Sequence, residues 1–507
     1  MILNSSFQPK IDQQNLMAVE TLRAEFQTIL TKQIDTVKAN NFTDRSSTAF
    51  SSTITDSFSF VESLETQNND QVTDLRRIIE NLDSAGYNIR DCADFYKTSR
   101  KVMLDDKFRF FTLGKCSIDD IRFMDWDMLD PKIKSWNRAV LLCFKNLFVK
   151  EKLLYEQIFR GLRSFAYDEG FLGIVYECAL HLINFAQGIS VTKLSFVQFF
   201  EVLDVYELLT IKVFPSLNAV FGSNLSQSVT VRDKAVQTVE SLAKFITNLL
   251  LVFESSVHRE SNNNNSKGIA GGIADLTEFA MKYITKFVEH KEALAGLIVS
   301  QPTMNREFDD DLVYSEVAGK SPFELHLIWI IRSLKYKLKG KSEFYKDVPL
   351  RFLFIMNNVN YVVQKIKGNP ELQEIIGNEY LSRLDKYVLE AADSYKNSSW
   401  GEVLHCLRDE GLHVRSLCTS WLSKYTFKKR LRKFSAAFYG VCEAQSTWIV
   451  PDTELQGELH RLILEELTPA YNTFLGQNLS HPGNPVGYNI YSVNDLEDKI
   501  HNLFVQR

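Results

Sequence analysis

Two glycine-containing stretches are candidates for a phosphate-binding loop. Gly319-Lys320-Ser321 ends like a phosphate-binding loop, whose lysine contacts the phosphates of a nucleotide. That loop needs another glycine five residues before Gly319, and Tyr314 stands there. Gly268–Gly272 follows a run of asparagines and not a buried strand, so it predicts a loop and not a dinucleotide-binding fingerprint. Neither stretch therefore predicts a nucleotide site.

Metal binding and acid–base catalysis need titratable side chains at suitable spacings. His405, Cys406, His413 and Cys418 lie within fourteen residues, but their spacing fits no usual zinc pattern. We interpret them as packing residues of a helix. The run Asp309–Asp311 has no paired general acid or base and fits a solvated turn. The sequence therefore predicts a protein that is not an enzyme and holds no metal or cofactor.

A basic segment near the C-terminus is the sharpest functional signal. Between Gly411 and Cys442 the net charge is +7 with no acidic residue, whereas the whole chain carries −5. Concentrated positive charge of this kind attracts anionic surfaces. The overall negative charge argues against a nucleic-acid partner. The basic residues are Arg415, Lys424, Lys428, Lys429, Arg430, Arg432 and Lys433.

Apolar residues in the same segment predict an amphipathic helix. They step by four, three, four and three residues, which places them along one stripe and leaves the cations to solvent. Like charges four residues apart, as in Lys428 with Arg432, each cost a helix about 0.2 to 0.5 kcal/mol. Either acidic neighbours on adjacent helices or an anionic ligand would relieve that cost. The stripe is Phe427, Leu431, Phe434, Phe438 and Val441.

A second basic stretch lies at Arg332–Lys341. Its cations are spread around the predicted helix and do not follow one face. We interpret this stretch as surface charge, with an auxiliary anion site as the alternative.

Composition favours an all-helical fold. The chain has 507 residues, of which 11 are prolines and 22 are glycines, and no proline occurs between Pro131 and Pro215. Sparse proline permits long helices. Five tryptophans are predicted to be core or interhelical anchors, since large aromatic side chains are usually buried. They are Trp126, Trp136, Trp329, Trp400 and Trp448.

The sequence indicates a reduced, cytoplasmic environment. It has neither an N-terminal signal peptide at Met1–Lys10 nor a run of about 18 consecutive apolar residues that would span a bilayer. Its cysteines are far apart and odd in number, so we expect free thiols. They are Cys92, Cys116, Cys143, Cys178, Cys406, Cys418 and Cys442.

The order of helices and breaks can be read from periodicity. An amphipathic helix is predicted over residues 14–38, followed by a flexible linker at 40–66 that contains a Ser/Thr-rich run. From Val72 onward, helical patterns follow one another without a strand pattern. The plainest predicted breaks are Asn262–Gly272, Ser321-Pro322, Gly368-Asn369-Pro370 and Asn397-Ser398-Ser399.

Several segments, taken in order, resemble the exocyst seventy-kilodalton subunit family in its plant-type form. The resemblance runs from about Gln71 to Phe504. It implies an elongated rod of consecutively stacked antiparallel helical bundles. The segments are Asp120–Trp136, Phe199–Phe221, Asp275–Ile284, Phe352–Ile366 and Gln445–Phe474.

The resemblance also implies a function in exocytosis. Family members tether secretory vesicles at the plasma membrane, which implies a peripheral location at its cytosolic face. Implied partners are other exocyst subunits, small GTPases and phosphatidylinositol bisphosphate. Lipid binding is assigned to Lys428, Lys429, Arg430, Arg432 and Lys433, with Arg415 and Lys424 as auxiliary cations.

The chain departs from the family pattern at both ends. The region before Gln71 is shorter than the N-terminal arm of family members, which favours the alternative of a paralogue outside the complex, an immunity protein targeted by pathogen effectors. Gln456, His460, Gly487 and Ile490 stand where the family tends to have basic residues, which implies reduced membrane affinity. The predicted domains are an N-terminal helix and linker at 1–66 and the helical rod at 67–507, of which 402–507 is the basic, membrane-facing bundle.

Overall fold

A computed structural model of the chain describes residues 13–44, 69–110, 116–162, 167–259, 269–299, 318–408, 420–479 and 491–504. These residues form helices joined by short turns, and none of them lies in a strand, which confirms the all-α prediction. The chain divides into two compact units between Leu251 and Val252.

Ten α-helices begin in the described part of the first unit. A π-helical segment at Cys143–Leu147 joins the fifth and sixth, and another at Leu208–Val213 joins the eighth and ninth. The helices are α1 Gln13–Asp44, α2 Asn69–Ser84, α3 Arg90–Phe110, α4 Ile118–Arg122, α5 Trp126–Leu142, α6 Phe148–Phe159, α7 Tyr167–Ile189, α8 Phe199–Glu207, α9 Phe214–Val220 and α10 Ser226–Arg259.

Helix α1 confirms the N-terminal helix and corrects the start of the predicted linker. Phe26 and Leu30 are fully buried, and Gln33 donates a hydrogen bond to the Gln71 side chain at 3.1 Å, so α1 packs against the helices that follow. The helix continues to Asp44 because the Ser/Thr-rich run begins only after it. Residues 45–66 of the predicted linker lie outside the described residues.

Helices α4, α5 and α7 pack closely in the first unit. The indole N–H of Trp136 donates to the Leu182 carbonyl at 2.8 Å, and its ring stacks on Phe185 at 6.1 Å. Ile121 of α4 lies so close to Gly188 of α7 that a Cβ at residue 188 would meet it at 2.8 Å. A glycine is therefore required where these helices meet.

Two helical stretches, Gly170–Ile189 and Ser226–Phe253, are long and apolar enough to span a membrane by length and composition. The first is mostly buried within the protein, and it contributes Leu182 and Phe185 to the contacts with Trp136. Packing in a helical core requires the same apolar composition. The second is one-third buried and contains Arg232, which donates to the Ser223 carbonyl at 2.8 Å.

The described part of the second unit is built from nine more α-helices. They are α11 Asp275–Glu289, α12 Lys291–Leu297, α13 Pro322–Ser342, α14 Val348–Lys367, α15 Pro370–Ile376, α16 Asn378–His405, α17 Ser420–Gln445, α18 Thr453–Leu479 and α19 Val493–His501. Most of their apolar side chains are buried.

Turn chemistry sets two of the predicted breaks. Ser321 caps helix α13 in a capping box with Glu324, and Pro322 occupies the first helical position. Asn369 caps α15 without a capping box, and its side chain accepts a hydrogen bond from the Leu372 N–H at 3.1 Å. Both breaks are therefore confirmed.

The predicted break at residues 397–399 is wrong, because these residues lie inside helix α16. The Ser398 hydroxyl donates to the Ser394 carbonyl at 2.7 Å, which satisfies the side chain without interrupting the helix. Trp400 is buried on the same helix, so tertiary packing supports this stretch. The predicted start of the C-terminal bundle at residue 402 also falls inside α16.

Two buried asparagines of helix α14 form hydrogen bonds to the backbone of the loop before α11. Asn358 accepts from the backbone N–H of Ala274 at 2.8 Å and from the Thr277 hydroxyl at 2.6 Å. Asn357 donates to the carbonyls of Gly271 and Ile449, both at 2.8 Å. The loop residues leave the helical conformation here, and both asparagines satisfy polar backbone groups that burial would otherwise leave without partners.

Four of the five tryptophans predicted to be anchors, Trp136, Trp329, Trp400 and Trp448, are buried, and Trp126 is half-buried. The cysteines in the described part of the chain are free thiols. Cys418 lies outside that part.

Candidate functional site

The basic segment forms helix α17, and this helix is amphipathic, as the sequence predicted. Phe427, Leu431, Phe434 and Phe438 are buried, and Val441 is half-buried. The stripe determines which side of the helix faces solvent.

The stripe packs on aromatic side chains of two neighbouring helices. Phe427 stacks on Phe474 of α18 with ring centroids 5.1 Å apart, and the ring centroid of Phe438 lies 5.9 Å from that of Trp400 on α16. Aromatic pairs of this kind add to the stability that burial alone supplies.

A buried polar contact fixes the C-terminal end of α17. The Tyr395 hydroxyl donates to the Gln445 side-chain carbonyl at 2.7 Å, and the Gln445 amide donates to the Ser399 hydroxyl. All three side chains are buried, so each satisfies a group that would otherwise be costly to bury. Helix α17 is therefore attached to α16 at this end by hydrogen bonds as well as by packing.

The structure divides the predicted lipid-binding cations into two groups. Lys429, Arg432 and Lys433 are exposed, whereas Lys428 and Arg430 are half-buried. The auxiliary residue Lys424 lies in α17, where its side chain is not among those described, and Arg415 lies outside the described residues.

Arg430 has a structural contact that the sequence did not predict. Its guanidinium donates to the backbone carbonyl of Arg408, just after the end of helix α16. A hydrogen bond from a charged donor such as guanidinium to a backbone carbonyl is stronger than one between neutral groups. This contact links the first half of α17 to the end of α16.

Cys406 shows how charge is distributed at this junction. Burial raises the pKa of the Cys406 thiol, and the neighbouring Glu402 carboxylate raises it further, while Lys433 and Arg430 act in the opposite direction. A raised pKa keeps the thiol protonated and unreactive at neutral pH. Cys406 is half-buried at this junction, whereas His405, which the sequence grouped with it, is exposed.

Three cations form the accessible part of the site. Among the residues that the structure describes, Lys429, Arg432 and Lys433 have no carboxylate within 4.0 Å. We call these three residues the cationic face of α17. Ammonium and guanidinium groups on one helix face can bind several phosphate oxygens at once.

The second basic stretch does not form a comparable face. Arg332 is buried on α13, and the Lys335 ammonium lies over the Tyr387 ring, 4.7 Å from its centroid. Lys339 is exposed, but Lys337 and Lys341 are half-buried. The prediction of surface charge is therefore wrong for Arg332, and the lysines that follow it are half-buried or exposed.

Two of the four residues predicted to replace family cations face inward. His460 is buried and stacks on Phe504 at 5.9 Å, and burial lowers the pKa of His460. The Gln456 amide donates to the Leu503 carbonyl at 3.1 Å. Both side chains therefore contact residues at the C-terminal end, Leu503 and Phe504. Gly487 and Ile490 lie outside the described part of the chain.

Comparison with known protein families shows which family this chain belongs to. Residues 134–502 match the family described as the C-terminal part of the Exo70 exocyst complex subunit. The chain belongs to the Exo70 family. This confirms the resemblance found in the sequence.

Several exocyst components are similar in sequence to this Exo70 family member. Arabidopsis thaliana EXO70C2 is 31% identical over 86% of this chain and 61% of its own length, and EXO70B1 of the same plant is 28% identical over 85% and 66%. Human exocyst complex component 7 is 21% identical over 58% of this chain and 41% of its own length. This chain therefore spans less than two thirds of the length of these relatives.

The fold is shared with a solved Exo70 structure. Saccharomyces cerevisiae Exo70 matches with a TM-score of 0.53 over 97% of this chain and 88% of the yeast chain, at 16% sequence identity. At this identity the match establishes the fold. The role of surface residues, such as the cationic face of α17, depends on the side chains of this chain and not on the shared fold.

Proposed function

We propose that this Exo70 family member is a non-enzymatic tether in exocytosis. In this proposal it binds other exocyst subunits, while helix α17 contacts phosphoinositide at the cytosolic face of the plasma membrane. The observation that carries the lipid proposal is the cationic face of α17, which stands opposite an apolar stripe whose residues from Phe427 to Phe438 are buried. A rigid face of this kind needs little reorganisation to bind a charged surface.

The expected affinity is modest. A cation near an anionic leaflet contributes about 1 kcal/mol, so three exposed cations contribute about 3 kcal/mol, which is weaker than millimolar binding. A second contact, such as another membrane-binding subunit in the same assembly, would raise the effective concentration of the lipid site. The proposal therefore assigns lipid binding and complex assembly to one tether.

The lipid proposal is tested by reversing the charge of the cationic face. The variant Lys429→Glu/Arg432→Glu/Lys433→Glu leaves the half-buried Lys428 and Arg430 unchanged, so the contact between α17 and α16 is kept. We expect it to lose binding to vesicles of phosphatidylcholine and phosphatidylinositol bisphosphate in co-sedimentation, with unchanged helical content.

A matched control changes the same number of charges elsewhere. The variant Lys337→Glu/Lys339→Glu/Lys341→Glu lies on α13 and should sediment with vesicles like the unmodified protein. Equal loss in both variants would show that only overall charge matters, and no loss in the α17 variant would refute the lipid proposal.

Co-purification tests the exocyst proposal separately. Tagged protein expressed in plant cells should recover other exocyst subunits, and the α17 variant should recover them equally well. Recovery of immune receptors or pathogen effectors without exocyst subunits would contradict assembly and support the alternative role in immunity.

A further inference from the structure

An exposed aromatic side chain lies on the same helix as the cationic face. Tyr439 of α17 is 53% exposed, whereas Phe434 and Phe438 of the apolar stripe are fully buried. Isolated exposed aromatic residues are common on protein surfaces, so exposure by itself carries no conclusion. What sets Tyr439 apart is its position relative to the cations.

Helical geometry places Tyr439 in line with the cationic face. At 3.6 residues per turn, Lys429, Arg432 and Tyr439 fall within an arc of about 80° around the helix axis, and Lys433 lies about 40° beyond Lys429 on the other side. Tyr439 lies about 10 Å from Arg432 along that axis. A flat surface that touches the two cations along the helix would therefore also reach the tyrosine ring.

Small neighbours leave the ring prominent. Ala436 and Gly440 flank Tyr439 on the exposed face, and both are exposed themselves. Leaving aside its two chain neighbours and the helix backbone, a Cβ at Gly440 would meet no atom within 4 Å, so no other part of the protein covers α17 at this residue. Half of the Tyr439 side chain therefore remains accessible to a ligand.

We propose that Tyr439 places its ring in the headgroup region of the anionic bilayer that the cationic face contacts, so that α17 lies along the membrane surface. This inference rests on the lipid binding proposed above and adds an apolar contact to it. Tyrosine suits that position, because its ring is apolar and its hydroxyl can remain hydrated. Cations and an aromatic ring on one face suit a helix that lies in the plane of the headgroup region.

The two contacts differ in their response to salt. Attraction between exposed charges and an anionic surface is screened as ionic strength rises. Burial of the ring contributes by removing apolar surface from water, which depends little on ionic strength. Vesicle binding measured over a range of salt concentrations therefore separates the contribution of Tyr439 from that of the cations.

The test uses the full chain with vesicles of phosphatidylcholine, phosphatidylserine and phosphatidylinositol bisphosphate. We expect Tyr439→Ala to bind about five- to tenfold more weakly at every salt concentration, with an unchanged salt dependence. Tyr439→Trp should restore binding, because indole also favours the interface. Leu389→Ala is the control, since Leu389 is 63% exposed on α16 and lies outside the cationic face.

The outcomes separate this inference from the proposed function. If Tyr439→Ala binds as the unmodified protein does, while the charge-reversed variant of α17 loses binding, the role of Tyr439 is refuted and lipid binding stands. If neither variant changes binding, both are refuted. If Tyr439→Ala changes the salt dependence as a charge variant would, the ring is not an apolar contact. Circular dichroism should show equal helical content in all variants.

Discussion

Phe434 and Tyr471 stack with ring centroids 5.0 Å apart and ring planes 24° apart, and both side chains are fully buried. Phe434 lies in the middle of the apolar stripe, so this pair fixes the rotation of α17 against α18. The cationic face is therefore positioned by the packing on the opposite side of its own helix.

Removing the Phe434 ring tests this arrangement. We expect Phe434→Ala to lower the free energy of unfolding by about 3–5 kcal/mol, because it leaves a cavity between α17 and α18. Lys429→Ala, on the exposed side of the same helix, should change it by about 0.5 kcal/mol or less. Urea unfolding followed by circular dichroism measures both. Equal effects of the two substitutions would contradict the assigned orientation of α17.

A second prediction concerns the buried ion pair between α3 and α6. The Arg100 guanidinium binds Glu151 through two nitrogens, at 2.9 Å and 2.6 Å, and both side chains are buried. Tyr96 donates to the same carboxylate at 3.4 Å. Arg100→Met should lower the free energy of unfolding by about 3–5 kcal/mol, because it leaves the Glu151 charge buried without its partner.

The double variant Arg100→Met/Glu151→Leu is the control for that experiment. It removes both charges and keeps apolar volume, so it should recover most of the stability that the single variant loses. Thermal and urea unfolding should give the same order of stability. A double variant no more stable than Arg100→Met would contradict the cost assigned to the unpaired Glu151 charge.

The helical class and the orientation of α17 were predictable because their signals are local. The steps of three and four residues from Phe427 to Phe438 place these side chains on one stripe, and a helix needs an apolar stripe to pack. The break at Ser321-Pro322 was predictable for the same reason, since the proline and the capping partner Glu324 both lie within three residues of Ser321.

The contacts that the sequence could not reveal join residues far apart in the chain. Asn358 bonds to Ala274, and Arg430 to the carbonyl of Arg408, and no local pattern marks either pair. The break at residues 397–399 was predicted wrongly for a related reason. Serine favours turns locally, but burial of Trp400 and back-bonding of Ser398 support the helix.

A third prediction concerns acid stability. Burial lowers the pKa of His326 on α13 to about 4, whereas an unfolded histidine titrates near 6.5. Between these values the unfolded state binds more protons, so stability is complete above about pH 6.5 and falls as the pH drops towards 4. The loss from this group is about 3 kcal/mol.

Replacement by a ring that does not titrate isolates this effect. His326→Phe keeps an aromatic side chain beside Trp329, whose ring stacks on His326 at 6.2 Å. Its free energy of unfolding should fall less than that of the unmodified protein between pH 6.5 and 4. Parallel curves for the two proteins, from urea unfolding at a series of pH values, would rule out a neutral buried His326.

The last prediction is a gain of function at the end of the exposed face of α17. Glu443 is exposed one turn beyond Tyr439, so a bilayer that contacts the cationic face would also approach this carboxylate. Glu443→Lys replaces repulsion by attraction and should tighten vesicle binding by about 1–2 kcal/mol, about five- to thirtyfold, at low salt. The control Glu374→Lys makes the same change of charge at an exposed position of α15. A gain confined to Glu443→Lys, in protein whose helical content is unchanged by circular dichroism, would identify the face that meets the membrane, and equal gains in both variants would refute it.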